Sequence, residues 1–211
     1  IDCGGESCPG CRPGSACTRA IDCSSSICAN ATCTPSTCFD GVLNGTEGAV
    51  DCGAANAVVI DLALGLDHSC VLLAGGFVKC FGGNDRGQLG YDDRITRRSL
   101  DQLAGALRPV SLPEPMGTIA AGHNSTCAGA VSGRVYCWGD NRNGQLGQGD
   151  NRPDIGGNQG DMTERLRAVQ LPLNTRVSEL CMGQAHVCGL SDIGDVFCWG
   201  QNSRGQLGYD D

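Results

Sequence analysis

The stretch TCAGAVSGRVYCWGDNRNGQLG, Thr126–Gly147, decides how this chain folds. It reads as two short β-forming runs around Val131-Ser132-Gly133, closing on a second cysteine and a glycine-rich corner. Two relatives of it stand at Cys70–Gly90 and Cys188–Gly208. In each copy the cysteines lie ten positions apart, at 70 and 80, 127 and 137, and 188 and 198, and GQLG begins at Gly87, Gly144 and Gly205. Between the cysteines the chain must reverse, at Ala74-Gly75-Gly76, Val131-Ser132-Gly133 and Asp192-Ile193-Gly194. All three loops end in Gly, which suits a three-residue hairpin whose last residue takes the left-handed backbone that penalises a side chain. Pairing about such a loop sets the two cysteines opposite or nearly opposite, with α-carbons about 4.5–5.5 Å apart and within disulfide reach. The expected bonds are Cys70–Cys80, Cys127–Cys137 and Cys188–Cys198. Zinc is the rival reading, but no adjacent His or Cys completes four ligands at these pairs.

Working outward, each hairpin is preceded by an apolar-rich segment ending in Gly: VVIDLALG (58–65), GTIAAG (117–122) and VSELCMG (177–183). These read as inner strands. After the glycine-rich corner and a variable connection come RPVSLP (108–113) and RAVQLP (167–172), short alternating segments that read as outer strands. Four strands make one sheet, and the fold class is all-β.

The combination of Gly before a short polar run, His or Ser two residues before Cys, then C-W-G-x-N-x-x-G-Q-L-G and a later P-V-x-L-P, resembles the repeats of the regulator of chromosome condensation family. The resemblance covers about residues 57–211, in three copies. It implies a β-propeller of four-stranded blades, seven in the complete family ring. Three copies cannot close such a ring, because propellers carry about four to eight blades. The expectation is a partial β-propeller of about three four-stranded blades, its missing blades supplied by the rest of the same polypeptide.

Residues 1–53 follow another grammar. They hold nine of the 16 cysteines, and IDCGG at Ile1 returns as VDCGA at Val50. The runs DCGGESCPGC (2–11), DCSSSIC (22–28) and CFDGVLNGTEGAVDCG (38–53) resemble small cysteine-rich units found in tandem in extracellular proteins. The expectation is an N-terminal, loop-dominated, disulfide-rich small domain whose connectivity spacing does not reveal. Cys52 and Cys181 are left over, to pair with each other or with sequence outside the chain. Sixteen cysteines in 211 residues fit an oxidising compartment, and we expect an extracellular or cell-surface protein. A formal charge of −8 argues against nucleic acid as a partner. The longest apolar-rich run, Ala57–Leu66, is broken by Asp61, so no membrane insertion is expected within this chain.

Several residues invite a chemical role. Cys8 and Cys11 have the spacing of redox and zinc motifs but lack the strand-and-helix setting of thioredoxin chemistry, so a structural disulfide is the better reading. Asp40, Asn44, Gly45 and Asp51 fall at positions 1, 5, 6 and 12 of a calcium-loop template, with Glu47 nearby; Val42 stands at its third position and Asp replaces the final Glu. His68 and His186 share a repeat position that Ser125 fills in the middle copy, while His123 lies elsewhere in its repeat, so the histidines read as structural. Trp138, Trp199 and Phe81 recur beside a cysteine and read as packing between blades. Asn30, Asn44 and Asn124 begin Asn-X-Ser/Thr acceptor sequences. The least repetitive segments, 92–107 and 149–166, are rich in charge of both signs. Asp92, Arg94, Arg97, Arg98, Asp150, Arg152 and Asp154 are their candidate partner-binding residues, with solvated linkers as the plain alternative.

No nucleophile, base and oxyanion-donor set is visible, and no cofactor is called for. The sequence therefore reads as a non-enzymatic extracellular scaffold that presents loops to a protein or glycan ligand. A guanine-nucleotide exchange factor and the non-catalytic part of a secreted hydrolase are the alternatives.

Overall fold

A computed structural model describes residues 28–29, 32–33, 58–98, 107–150 and 152–209. Two compact units divide the chain, one of residues 1–57 with 104–108 and one of 58–103 with 109–211. In the first unit, β1 (Cys28–Ala29) pairs antiparallel with β2 (Thr32–Cys33), setting Cys28 opposite Cys33.

The second unit contains three antiparallel sheets, each a meander in chain order. The first holds β3 (Val59–Leu64), β4 (His68–Leu73) and β5 (Phe77–Gly82). The second holds β6 (Met116–Ala121), β7 (Ser125–Ala130), β8 (Val135–Asp140) and the short β9 (Asp154–Ile155). The third holds β10 (Val177–Met182), β11 (His186–Ser191) and β12 (Val196–Gly200). Gly76, Gly133 and Gly194 take φ of 84°, 89° and 92° at the hairpin loops, the backbone region that selects Gly there. Each inner strand carries a register shift near its start, at Val59/Asp61, Met116/Thr118 and Val177/Glu179.

Alternation along the strands gives each blade two faces, and the residues between neighbouring blades are buried. Cys70, Leu72, Val78 and Cys80 share the face of blade 1 that packs on blade 2, and all four are fully buried. Cys127, Val135 and Cys137 are equally buried at the next junction. The pairs Cys70–Cys80, Cys127–Cys137 and Cys188–Cys198 face each other in register with Cα–Cα distances of 4.1 Å and are bonded. Cys181 is an exposed free thiol on β10, opposite Cys188, where the first two blades carry the buried Ala63 and Ala120.

The outer strand differs from the sequence expectation. Among the described residues blade 2 alone has a fourth strand, and it is Asp154–Ile155 of the connection rather than the RAVQLP segment. That segment contributes a bridge between Ala168 and Tyr136 and a bond from Val169 N–H to the Val135 carbonyl at 2.8 Å. In blade 1, Arg97 bridges Gly82 and Val110 bonds the Val78 carbonyl at 2.8 Å. The physical reason is proline: Pro109, Pro113, Pro153 and Pro172 donate nothing to a ladder, so the outer position is shared by short pieces.

Candidate functional site

The recurring corner N-x-x-G-Q-L-G is a self-contained hydrogen-bonded loop. Asn84, Asn141 and Asn202 accept the N–H of Leu89, Leu146 and Leu207 at their Oδ1, at 2.9, 3.0 and 3.0 Å. The Oε1 of Gln88, Gln145 and Gln206 accepts the N–H two residues earlier, at 2.8 Å in every copy. The residue after GQLG then caps the edge of the preceding strand. Tyr91 and Tyr209 accept the N–H of Cys80 and Cys198 at 3.1 and 2.9 Å, while Gln148 donates to the Cys137 carbonyl at 2.8 Å.

Blades are joined through the same corners. The indole N–H of Trp138 donates to the Gln88 carbonyl at 2.9 Å, and that of Trp199 to the Gln145 carbonyl at 3.0 Å. Thr126 Oγ1 also donates to the Gln88 carbonyl, at 2.9 Å, so its remaining capacity is to accept a proton from His68 Nε2 at 3.0 Å. This fixes the tautomer and leaves His68 Nδ1 buried with no partner. Burial outweighs the neighbouring Asp67 charge and holds the His68 imidazole down to about 4. In the middle blade Ser125 replaces the histidine and is fully buried, and Val187 stands where Thr126 stood.

The two variable connections meet above this frame. Asp92, at φ 59°, accepts the N–H of Met162 at 2.8 Å and of Gly160 at 3.3 Å. Arg94 bonds Asp154 at 2.8 Å, and that carboxylate is 7% exposed. The second connection is organised by Asp161 at the start of a π-helical turn, Asp161–Arg165; its buried carboxylate accepts from Gly156 N–H, Asn158 N–H and Arg165. Sequence reading missed Asp161; its signal was the i,i+4 spacing to Arg165. A Cβ on Gly87 would stand 2.2 Å from Gly157 N, which shows how closely this loop lies on the corner of blade 1. The described parts of the two connections, 92–98 and 152–166, bond to each other and lie against the corner of blade 1.

The structure thus brings Asp92, Arg94 and Asp154 into one inter-blade clasp. Arg97 pairs with Asp93 at 2.8 Å and lies over the Tyr91 ring, 4.2 Å from its centre. Arg152 pairs with Asp150, and Arg98 is exposed. Burial favours the neutral carboxyl of Asp93 and of Asp140, but hydrogen bonds from Arg97 and Arg142 prevail and hold both low. The Arg152 hydrogen bond does the same for Asp150. A shallow hollow of about 320 Å³ is lined by Asn141, Arg142, Gly144, Asp150 and Pro153. This surface carries fixed charges of both signs, Arg142 and Asp150, beside the polar Asn141.

No group of three or more metal-ligating side chains occurs among the described residues. Among them no helix is long and apolar enough to cross a membrane. Asp40, Asn44, Glu47 and Asp51, Cys8 and Cys11, and the acceptors Asn30 and Asn44 lie outside the described residues. Asn124 begins the third acceptor sequence, whose Ser125 and Thr126 are fully buried.

Two profiles described as Regulator of chromosome condensation (RCC1) repeat match the chain, one at residues 59–88, 118–145 and 177–206 and the other at 132–190. Together they cover more than half of it, and neither extends into residues 1–53. The X-linked retinitis pigmentosa GTPase regulator of Canis lupus familiaris is 31% identical over 159 residues, 74% of this chain and 14% of that protein. The probable E3 ubiquitin-protein ligase HERC4 of Homo sapiens is 31% identical over 151 residues, 72% of this chain and 13% of that protein. The chain therefore spans about one-seventh of the length of these relatives. Among solved structures, Prp20p of Saccharomyces cerevisiae, which binds Gsp1p and histones, aligns with a TM-score of 0.55 at 23% identity. That alignment covers 83% of this chain and 40% of Prp20p. Human WBSCR16 aligns with a TM-score of 0.56 at 19% identity, over 74% and 38% of the two chains. These likenesses show the fold.

Proposed function

Because the chain belongs to the regulator of chromosome condensation repeat family, we propose that it uses the family's blades as a non-enzymatic extracellular scaffold presenting the clasped loops to a protein partner. The observation that carries the reading is the set of three cystines in register, two of them wholly buried between blades. Buried cystines are part of the interface itself, and they form and persist in oxidising surroundings. A protein ligand is favoured because the loop face carries charges of both signs around a shallow hollow, and because a structural neighbour, Prp20p, binds Gsp1p and histones. The clasp holds Asp92, Arg94 and Asp154 in place before any ligand arrives, which lowers the entropy lost on binding.

Two measurements test it. Intact-mass analysis of native material, alkylated without reductant, is expected to leave all six cysteines of the three pairs unlabelled. Proximity labelling from the chain on intact producing cells is expected to mark cell-surface proteins, and alanine replacement of Arg142, which lines the hollow, to reduce that marking. Labelled cysteines in native material, or accelerated nucleotide release from a small GTPase, would refute the reading.

A further inference from the structure

We propose that the third blade carries an exchangeable cystine: the Cys181 thiol attacks the Cys188 sulfur, which joins Cys181 to Cys188 and releases Cys198 as the free thiol. The observation behind it is a row of three cysteines across one sheet. Cys181 of β10 stands opposite Cys188 of β11, and Cys188 opposite Cys198 of β12. Residues directly opposite in an antiparallel pair project from the same face, so all three side chains leave the sheet on one side. The first two blades have the same cystine, but Ala63 and Ala120 occupy the place of Cys181. Among the described residues blade 3 alone sets a free thiol in line with its cystine.

Main-chain hydrogen bonding puts Cys188 within reach of either neighbour. The Tyr209 hydroxyl accepts from the Cys198 N–H at 2.9 Å and donates to the Cys198 carbonyl, so both main-chain groups of Cys198 point away from Cys188. Cys188 and Cys198 are thus a non-hydrogen-bonded pair, the closer kind, with α-carbons 4.1 Å apart. The N–H and C=O of one strand residue leave on the same side, so those of Cys188 turn to β10 and make Cys181 and Cys188 a hydrogen-bonded pair. The α-carbons of such a pair lie about 5.5 Å apart, inside the roughly 4.4–6.8 Å that cystines span. The bond can therefore move with no shift in strand register.

The step needs no oxidant or reductant. Cys181 attacks as its thiolate, having given its proton to solvent; its electron pair forms the new S–S bond, the pair of the broken bond stays on the Cys198 sulfur, and that sulfur takes up a proton. One cystine and one thiol stand on each side. The exchange removes the covalent tie between β12 and β11. Trp199 follows Cys198, and its indole N–H holds the Gln145 carbonyl of blade 2 at 3.0 Å, so the exchange acts on a contact between blades 2 and 3. The inference rests on the oxidised blades of the scaffold reading.

The test incubates the chain at pH values between about 6 and about 8.5, blocks thiols with N-ethylmaleimide, and cuts without reductant after Arg and before Asp. Residues 177–191 then carry Cys181 and Cys188, and residues 195–204 carry Cys198. At the start the two fragments are expected to be joined, with one label on Cys181. At the higher pH, 195–204 is expected to come free within hours, labelled on Cys198. Its release is expected to quicken about tenfold per pH unit while the thiol is mostly protonated, and to be unchanged by dilution of the protein. Hydrogen exchange is expected to rise on β12 and to stay unchanged on β5 and β8. Cys181→Ala, which installs the residue of the other two blades, is expected to fold and to release no 195–204. Fragments still joined after roughly a day, a rate that falls on dilution, or a Cys181 already bonded elsewhere at the start would overturn the inference and leave the scaffold reading standing. Label on all six paired cysteines at the start would overturn both.

Discussion

Lowering the pH from 7 to 4 is expected to destabilise this protein through one side chain, His68. Its Nε2–H is spent on Thr126 Oγ1, which is itself committed to the Gln88 carbonyl. A second proton must therefore enter at Nδ1, which is buried and faces no acceptor. The folded protein holds this imidazole at about 4 against an ordinary value of 6.5. Each pH unit of such a shift is worth about 1.4 kcal/mol, so the difference amounts to roughly 3 kcal/mol. The sign follows from proton uptake: between those two values the unfolded chain binds a proton that the native chain refuses. Stability is undiminished above 6.5, falls as the pH drops, and has lost the full amount near 4. The carboxylates of Asp93, Asp140 and Asp150, held low by their arginines, act in the same direction but in a lower window; the stability they add is lost only as the pH falls below the ordinary carboxylate range. Urea unfolding of wild type and His68→Gln at half-unit steps from pH 7.5 to 4 isolates the effect, because every other titrating group is common to both. The wild type is expected to lose roughly 3 kcal/mol more than the variant across the window. Parallel curves would refute the argument that Nδ1 is dry and unpartnered.

Further expectations rest on comparisons within the repeat. Gly87, Gly144 and Gly205 share a left-handed φ, of 75°, 71° and 70°, but only a Cβ on Gly87 meets backbone. Alanine at 144 or 205 is expected to cost about 1–2 kcal/mol, and at 87 clearly more, with hydrogen exchange rising in residues 152–165. Replacing Cys127 and Cys137 together by alanine is expected to cost roughly 3 kcal/mol from the closed loop alone, plus a cavity contribution because both sulfurs are buried; denaturant unfolding reads the total. Trp138→Phe keeps the ring and removes one donor to the Gln88 carbonyl, which still has Thr126; a loss of about 1 kcal/mol is expected in thermal unfolding.

Much of the repeat frame was legible because its determinants are local. The hairpins are written in three-residue loops ending in Gly, and the cysteine spacing places both thiols in register once the loop is known. The corner is equally local, since Asn141 and Gln145 bond backbone within five residues of themselves. Trp138 and Trp199 were read as packing residues from their recurrence, but not that their indoles bond a carbonyl of the preceding blade, because that partner lies 50 and 54 residues away. The outer strands were misjudged for a related reason. RPVSLP and RAVQLP alternate as strands do, yet their prolines and the competing Arg97 and Ile155 leave each a brief contact.

What the sequence by itself determined is the unit: a meander closed by a cystine and a glycine-rich corner, because every interaction that shapes it runs between near neighbours in the chain. Only the tertiary structure decided which loops touch, that Asp92 holds the turn before Met162 and Arg94 reaches Asp154, and that His68 is sealed without a second partner. Those outcomes depend on how far one blade is set from the next. That distance comes from the packing of whole faces such as Cys70, Leu72, Val78 and Cys80 against the neighbouring sheet, and no short stretch of residues encodes it.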